Sequence, residues 1–170
     1  MARQHEGFAL AYNEEVGHVT NPEQLEQGER SDRELPLVFL DTNVIIGYLR
    51  GDSSAVQLFS AEANGRIRFA VNGIVLQELL LAGDAGRPEF DRIRDHLHVL
   101  PVDLEKAEAL LPRVRALRNR LAHSNDILIL SSADECDFLV TRDLNLKNLV
   151  ITGKPQVVTP EELATHLQAA

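Results

Sequence analysis

Apolar positions along the chain change period in a repeating order. Leu35-Pro36-Leu37-Val38-Phe39-Leu40 is a short apolar run that stops at Asp41, the pattern of a strand buried on both faces of a parallel sheet. Val44, Ile45, Tyr48 and Leu49 then recur at helical spacing, and the helical pattern resumes over about 53–64 through Val56, Leu58 and Phe59. Residues 66–71 alternate as a strand does, Asn72-Gly73 predicts a turn, and 74–82 predicts a helix. Arg87-Pro88 opens a further helix reaching about His96, followed by a short strand over 98–102. Residues 103–121 form a long amphipathic pattern in which Pro112 is a point of break or kink. Ser124 or Asn125 caps a helix running to about Glu135, and 137–141 and 156–158 read as strands. Thr159-Pro160-Glu161-Glu162 starts the last helix with a capping box, in which the Thr cap and the Glu three positions on satisfy each other's amides. Strands alternating with helices predict an α/β fold, a parallel sheet of four to five strands flanked by helices.

Residues 1–35 lack this periodicity and are rich in Glu and Gln, so they read as an acidic extension to a domain over 36–170. Thr20-Asn21-Pro22-Glu23 predicts one short helix there, near 22–29. The formal net charge of -9 argues against a nucleic-acid partner until its distribution is considered. Residues 1–36 hold 3 basic and 8 acidic side chains, whereas 37–170 hold 14 and 18. Setting aside four acids as metal ligands leaves the domain near neutrality, which permits such a partner. No apolar stretch approaches the roughly 18–20 residues of a membrane span, the N-terminus lacks the pattern of a secretory signal, and the single Cys136 has no partner for a disulfide. A soluble, cytoplasmic protein is the expectation.

The four acids are Asp41, Glu78, Asp126 and Asp143. Sites in open α/β sheets form beyond the carboxyl ends of the strands. Asp41 ends the first apolar run, Asp143 lies just past the strand over 137–141, Glu78 lies in the helix after the second strand, and Asp126 lies in a first helical turn. Carboxylates brought together there repel one another, and a hard divalent cation such as Mg²⁺ or Mn²⁺ relieves the repulsion. Each acid also has an ordinary role in reserve, as a helix cap, a turn residue or a solvated side chain. Thr42, Asn43, Thr141 and Asn145 are placed to support the acids, with capping and loop roles as their alternatives. Arg113, Arg115, Arg118 and Arg120 make the most basic segment, either a solvated helix face or a contact for phosphates or an acidic partner. Asp52 lies outside these groupings and is expected to be dispensable for any chemistry.

Five segments in register resemble one family. Phe39-Leu40-Asp41-Thr42-Asn43-Val44 is similar to the opening strand of PIN domains, and Val71–Leu79 to the element that ends in a metal-site Glu. Asn125–Leu130, Phe138–Leu144 and Val157–Leu163 resemble the remaining elements. The resemblance covers about 36–168 and implies a Rossmann-like fold and Mg²⁺- or Mn²⁺-dependent cleavage of RNA, with Asp41, Glu78, Asp126 and Asp143 as catalytic metal ligands. Small members include the VapC-like toxins of toxin–antitoxin pairs, which implies an antitoxin partner. The helices over 103–121 and 43–60 offer apolar surface to such a partner, or to a second copy of the chain in a homodimer. Asn72-Gly73 departs from the family pattern, in which a Ser or Thr is more usual. The alternative is a non-catalytic binding or scaffold module on the same fold. A haloacid-dehalogenase-type phosphatase is disfavoured, because its second Asp is replaced by Asn43, and no glycine-rich phosphate loop is present.

Overall fold

The computed structural model describes residues 35–116, 124–150 and 153–169. The acidic segment before Leu35 and its expected helix near 22–29 lie outside the described residues, as do 117–123. Five strands form one sheet: β1 (Leu37–Leu40), β2 (Arg68–Asn72), β3 (Leu97–Leu100), β4 (Phe138–Val140) and β5 (Gln156–Val158). All neighbours are parallel, in the order β3-β2-β1-β4-β5. This is the Rossmann-like α/β arrangement the periodicity predicts.

Position in the sheet explains the composition of each strand. The central β1 buries Val38, Phe39 and Leu40 completely, because helices cover both of its faces. At the edge, β3 leaves His98 and Val99 exposed. Seven α-helices flank the sheet among the described residues: α1 (Thr42–Leu49), α2 (Ser53–Ala63), α3 (Gly73–Leu81), α4 (Pro88–Arg94), α5 (Leu104–Ala116), α6 (Ser124–Ala133) and α7 (Pro160–Ala169). Helix α2 packs on α7, α5 on α6, and α1 on both α2 and α3. Phe59 joins two layers of the core, stacking on Tyr48 of α1 and tilting against Phe69 of β2.

Local chemistry sets the boundaries. Asp52 caps α2 by accepting from the Ala55 N–H at 3.0 Å. The capping box of α7 is reciprocal, with Thr159 N–H donating to Glu162 Oε2 at 2.7 Å and Glu162 N–H donating to Thr159 Oγ1 at 3.2 Å. Pro112 lies inside α5 without ending it. The Asn72-Gly73 junction is not a free turn. Asn72 is the last residue of β2 and the fully buried cap of α3: its Oδ1 accepts from the N–H groups of Ile74 and Val75, both at 3.1 Å. Its Nδ2 donates across to Leu128 O and Ser132 Oγ of α6, at 3.1 and 3.0 Å. An Asn does here what a Ser or Thr could do only in part, since its amide caps one helix and grips another.

Candidate active site

The chain leaves β1 for β2 and β3 on one side and returns to β4 on the other, so the order reverses between β1 and β4. A crevice opens past the carboxyl ends of strands at such a point. Asp41 stands there. Its N–H donates to Val140 O at 3.0 Å, which continues the β1–β4 ladder by one residue. Its carboxylate then faces three donors. Oδ1 accepts from the Thr42 N–H at 2.7 Å, which caps α1. Oδ2 accepts from Thr141 Oγ1 and from Asn43 Nδ2, both at 2.5 Å. Thr141 is fully buried at the end of β4, so its hydroxyl is fixed toward Asp41.

Glu78 reaches the same place from α3. The buried Asn72 cap sets the start of that helix, and Glu78 lies past its first turn. Thr42 Oγ1 makes a short hydrogen bond to Glu78 Oε2, while Asn125 Nδ2 donates to Oε1 at 2.6 Å. Thr42 thus links two acids, its N–H serving Asp41 and its hydroxyl Glu78. Asp126 follows Asn125 in the first turn of α6.

Electrostatics report the convergence. The Asp41 carboxyl is raised from 3.8 to about 6. Burial is the largest cause; the hydrogen bonds from Thr141 and Thr42 oppose it, and the negative charges of Glu78 and Asp126 add to the rise. Glu78 from α3 and Asp126 from α6 therefore both act on Asp41, which stands at the end of β1 and is 7% exposed. Residues 38–151, more than half of the chain, match the PIN domain family.

The chain belongs to the PIN domain family.

No curated protein matches the sequence. Among solved structures, a chain of VapBC2 from Rickettsia felis, bound to a DNA fragment from their promoter, is similar with a TM-score of 0.55 and 18% identity, over 72% of this chain and 98% of that one. A toxin–antitoxin complex from Klebsiella pneumoniae is similar with a TM-score of 0.48 and 24% identity, over 72% and 97%. FitAB bound to a DNA fragment is similar with a TM-score of 0.48 and 18% identity, over 73% and 95%. At these identities the VapBC2 likeness is one of fold.

Asp143 stands differently from the other three acids in this PIN domain. Its N–H donates to Thr141 Oγ1 at 2.9 Å, so it is joined to Asp41 through that hydroxyl. Its Oδ1 accepts from the Asn145 N–H at 2.9 Å, capping a 3-10 helix over Leu144–Asn148. Asn145 thus supports Asp143 through its backbone. Asn43 is more central than its position suggests: Nδ2 contacts Asp41 and, at 3.2 Å, Thr141 Oγ1, while Oδ1 accepts from the Arg142 N–H at 3.1 Å.

Asn125 is a site residue that periodicity did not reveal. The sequence offers it as a helix cap, yet it holds a carboxylate 47 positions away in the sequence. Only its place just before Asp126 hinted at more. Of the arginines, Arg115 is exposed near the end of α5. Arg118, Arg120 and the side chain of Arg113 lie outside the described residues.

The donors around the crevice are carboxylates, amides and hydroxyls, which suit a hard divalent cation rather than a thiophilic one. Among the described residues, no three His, Cys, Asp or Glu side chains form a ready-made cage. Only the chemical type of the donors, oxygen rather than sulfur, fits an ion of the Mg²⁺ kind.

Proposed function

We propose that this PIN domain is a Mg²⁺- or Mn²⁺-dependent endoribonuclease that hydrolyses phosphodiester bonds in RNA. The observation that carries the reading is Asp41. A buried carboxylate pushed up to about 6, partly by two neighbouring acids, is held in place by Thr141, Thr42 and Asn43, and among the described residues no basic side chain is paired with it. Such an arrangement costs stability and calls for a cation. Asp41, Glu78 and Asp126 would hold it, with Asp143 beside them. The ion supplies positive charge against the phosphate and activates the attacking water.

The protein's own residues supply position. Thr42 and Asn125 each donate to one oxygen of Glu78, which fixes the plane of that carboxylate. Thr141 and Asn43 fix Asp41. Phosphoryl transfer asks mainly this of a protein, since a largely dissociative transition state needs alignment and compensating charge more than covalent help. The water oxygen bonds to phosphorus as the bond to the departing sugar oxygen breaks. The exposed Arg115 is placed on a surface helix where a phosphate of a longer strand could rest.

The resemblance of the motif segments to VapC-like toxins, on a fold shared with the VapBC2 chain, supports a further part of the reading, that the chain is a toxin restrained by an antitoxin in the cytoplasm. Apolar side chains left exposed on α5, Leu104 at 67% and Leu111 at 36%, provide surface for a partner segment or for a second copy in a homodimer. Among the described residues no helix is long and apolar enough to cross a membrane. The absence of a closed acidic cage among the described residues is what favours the non-catalytic scaffold reading. One experiment decides between them. Purified chain is incubated with single-stranded RNA and Mn²⁺, with and without chelator. Cleavage lost in chelator and in Asp41→Asn supports the nuclease; intact RNA under all conditions supports the scaffold.

A further inference from the structure

We infer that Arg142 is a positioning residue: its side chain clasps the loop after β4 to the starts of α2 and α7, and thereby sets where Thr141 and Asp143 stand in the site. The kinetic part of this inference rests on the nuclease reading above; the structural part does not.

Arg142 lies between two site residues, Thr141 and Asp143. Its backbone faces inward, where its N–H donates to Asn43 Oδ1. Its side chain faces outward. Nη2 donates to Asp52 Oδ1 at 2.8 Å and to Ser54 Oγ at 3.1 Å, and Nη1 donates to Glu161 Oε1 at 3.1 Å. These acceptors belong to other elements. Asp52 is the cap of α2, Ser54 lies in its first turn, and Glu161 lies in the first turn of α7. Ser54 Oγ also stands 2.6 Å from Asp52 Oδ1 and 2.7 Å from Glu161 Oε1. A hydroxyl has one proton, so it serves one carboxylate at a time while accepting from the guanidinium. The result is a closed ring of four side chains spanning three elements.

Partly exposed ion pairs contribute little to global stability. The clasp matters because of what it restrains. The planar guanidinium offers separate nitrogens to two carboxylates in fixed directions, which a lysine ammonium cannot reproduce. With the outer side fixed, the main chain at 141–143 has little freedom to shift, and the bonds from Thr141 to Asp41 and from Asp143 N–H to Thr141 keep their geometry. Asp52, expected from the sequence to be dispensable, is one of the anchors.

The test uses the full chain with Arg142→Gln, Asp52→Ser and the double substitution. Ser keeps the cap on α2 but is too short to reach the guanidinium. Asp95→Asn, at the exposed acid that ends α4, is the control. Two readouts are taken: amide hydrogen exchange at Arg142 and Asp143, and steady-state cleavage of single-stranded RNA in Mn²⁺. Both variants are expected to speed exchange at these two amides and to lower kcat about tenfold with KM unchanged, as small misplacements of reacting groups do. The double variant should resemble the worse single one, because both break one ring, and Arg142→Lys should recover only part of the loss. Unchanged exchange in both variants overturns the clasp whether or not any RNA is cleaved. Faster exchange with wild-type kcat also overturns it. A raised KM in Arg142→Gln alone, with Asp52→Ser unaffected, makes the arginine a phosphate contact instead. If the wild-type chain cleaves nothing, the nuclease reading fails, and exchange still decides the clasp.

Discussion

Asp41 and Asp137 occupy opposite ends of the same pair of strands, Asp41 just after β1 and Asp137 just before β4. Both lose solvation to the fold, and the outcomes are opposite. Burial alone would raise Asp137, but the Leu37 N–H, the Lys154 ammonium and the charge of Arg68 outweigh it, and its carboxyl lies below the usual value. Its Oδ2 accepts from the Leu37 N–H and its Oδ1 from Lys154 Nζ, each at 3.0 Å. Asp41 has hydrogen bonds of comparable quality, yet the charges nearest it are negative. Hydrogen bonds favour the charged form of both carboxyls; the difference is the sign of the charges added to them, positive at Asp137 and negative at Asp41. One end of the sheet has positive charge from the chain beside its carboxylate, and at the other the charges that act from the described residues are negative. A departure from the usual pairing of buried charge is what a functional site looks like in physical terms.

The largest test of this contrast is a pair of neutralisations. Asp41→Asn should abolish cleavage to background, a loss of about 100-fold or more, without lowering Tm in chelator, because it removes a repelled charge and keeps the cap on α1. Asp137→Asn should leave cleavage intact and cost about 1 kcal/mol or less, given its partial exposure. RNA cleavage and thermal unfolding in chelator read both. Equal losses of activity in the two variants would remove the distinction between the two ends.

Cation binding is the next effect in size. A ligand that binds only the folded state at 100 times its Kd stabilises by about 2.7 kcal/mol. Saturating Mn²⁺ should therefore raise the Tm of the wild-type chain and of Asp137→Asn, but not that of Asp41→Asn. A Tm indifferent to Mn²⁺ in all three would place the compensation elsewhere.

Acidity gives a graded version of the same comparison. In chelator, Asp41 holds its proton more tightly in the folded chain than in the unfolded one. Its contribution to stability is complete below about 3.8 and is lost as pH rises to about 6. Asp137, lowered in the fold, contributes in the opposite sense: its share is present above the ordinary carboxylate value and is lost as pH falls. Under the proposed mechanism cleavage requires ionised Asp41, so kcat/KM should fall about tenfold per unit below the inflection, and added Mn²⁺ should move that inflection downward by competing with the proton. Urea unfolding and rate profiles between pH 4 and 8 measure the two effects.

The smallest expected effect sharpens the site itself. Asn125→Ala removes the donor to Glu78 Oε1 and should lower kcat about tenfold while leaving Tm within a few degrees. An unchanged rate would reduce Asn125 to a first-turn helix residue.

These residues also mark how far the sequence could be read. The strand before Asp41, the box at Thr159 and Glu162, and the proline opening α4 follow from local rules, and the structure agrees with them. Asn72 was legible as punctuation but not as a bridge, because Asn suits turns and caps alike and its second grip lies 56 residues away. Asn125 and Arg142 escaped for the same reason. Their partners, Glu78 and Asp52, lie 47 and 90 residues away, and nothing local to either residue encodes the strand order that brings them together. The acids group by their places relative to the strand ends and then by the resemblance to a family, since each taken alone could be a cap. Asp41 and Asp143 are indeed caps in the structure, and Asp41 shows that one side chain can make a local and a long-range contact at once, to the Thr42 N–H and to Thr141 Oγ1.

The hydrogen bond between Thr141 and Asp41 joins residues 100 positions apart. A ribosome adding about 5–20 residues per second needs roughly 5–20 s to cross that interval. Throughout that time Asp41 exists without the hydroxyl that aims it, and β1 without β4, the second of its two partner strands. A nascent chain halted before residue 141 therefore carries three of the four acids and no assembled crevice. Parallel topology thus acts as a timer on synthesis, withholding the finished site until most of the chain has been made.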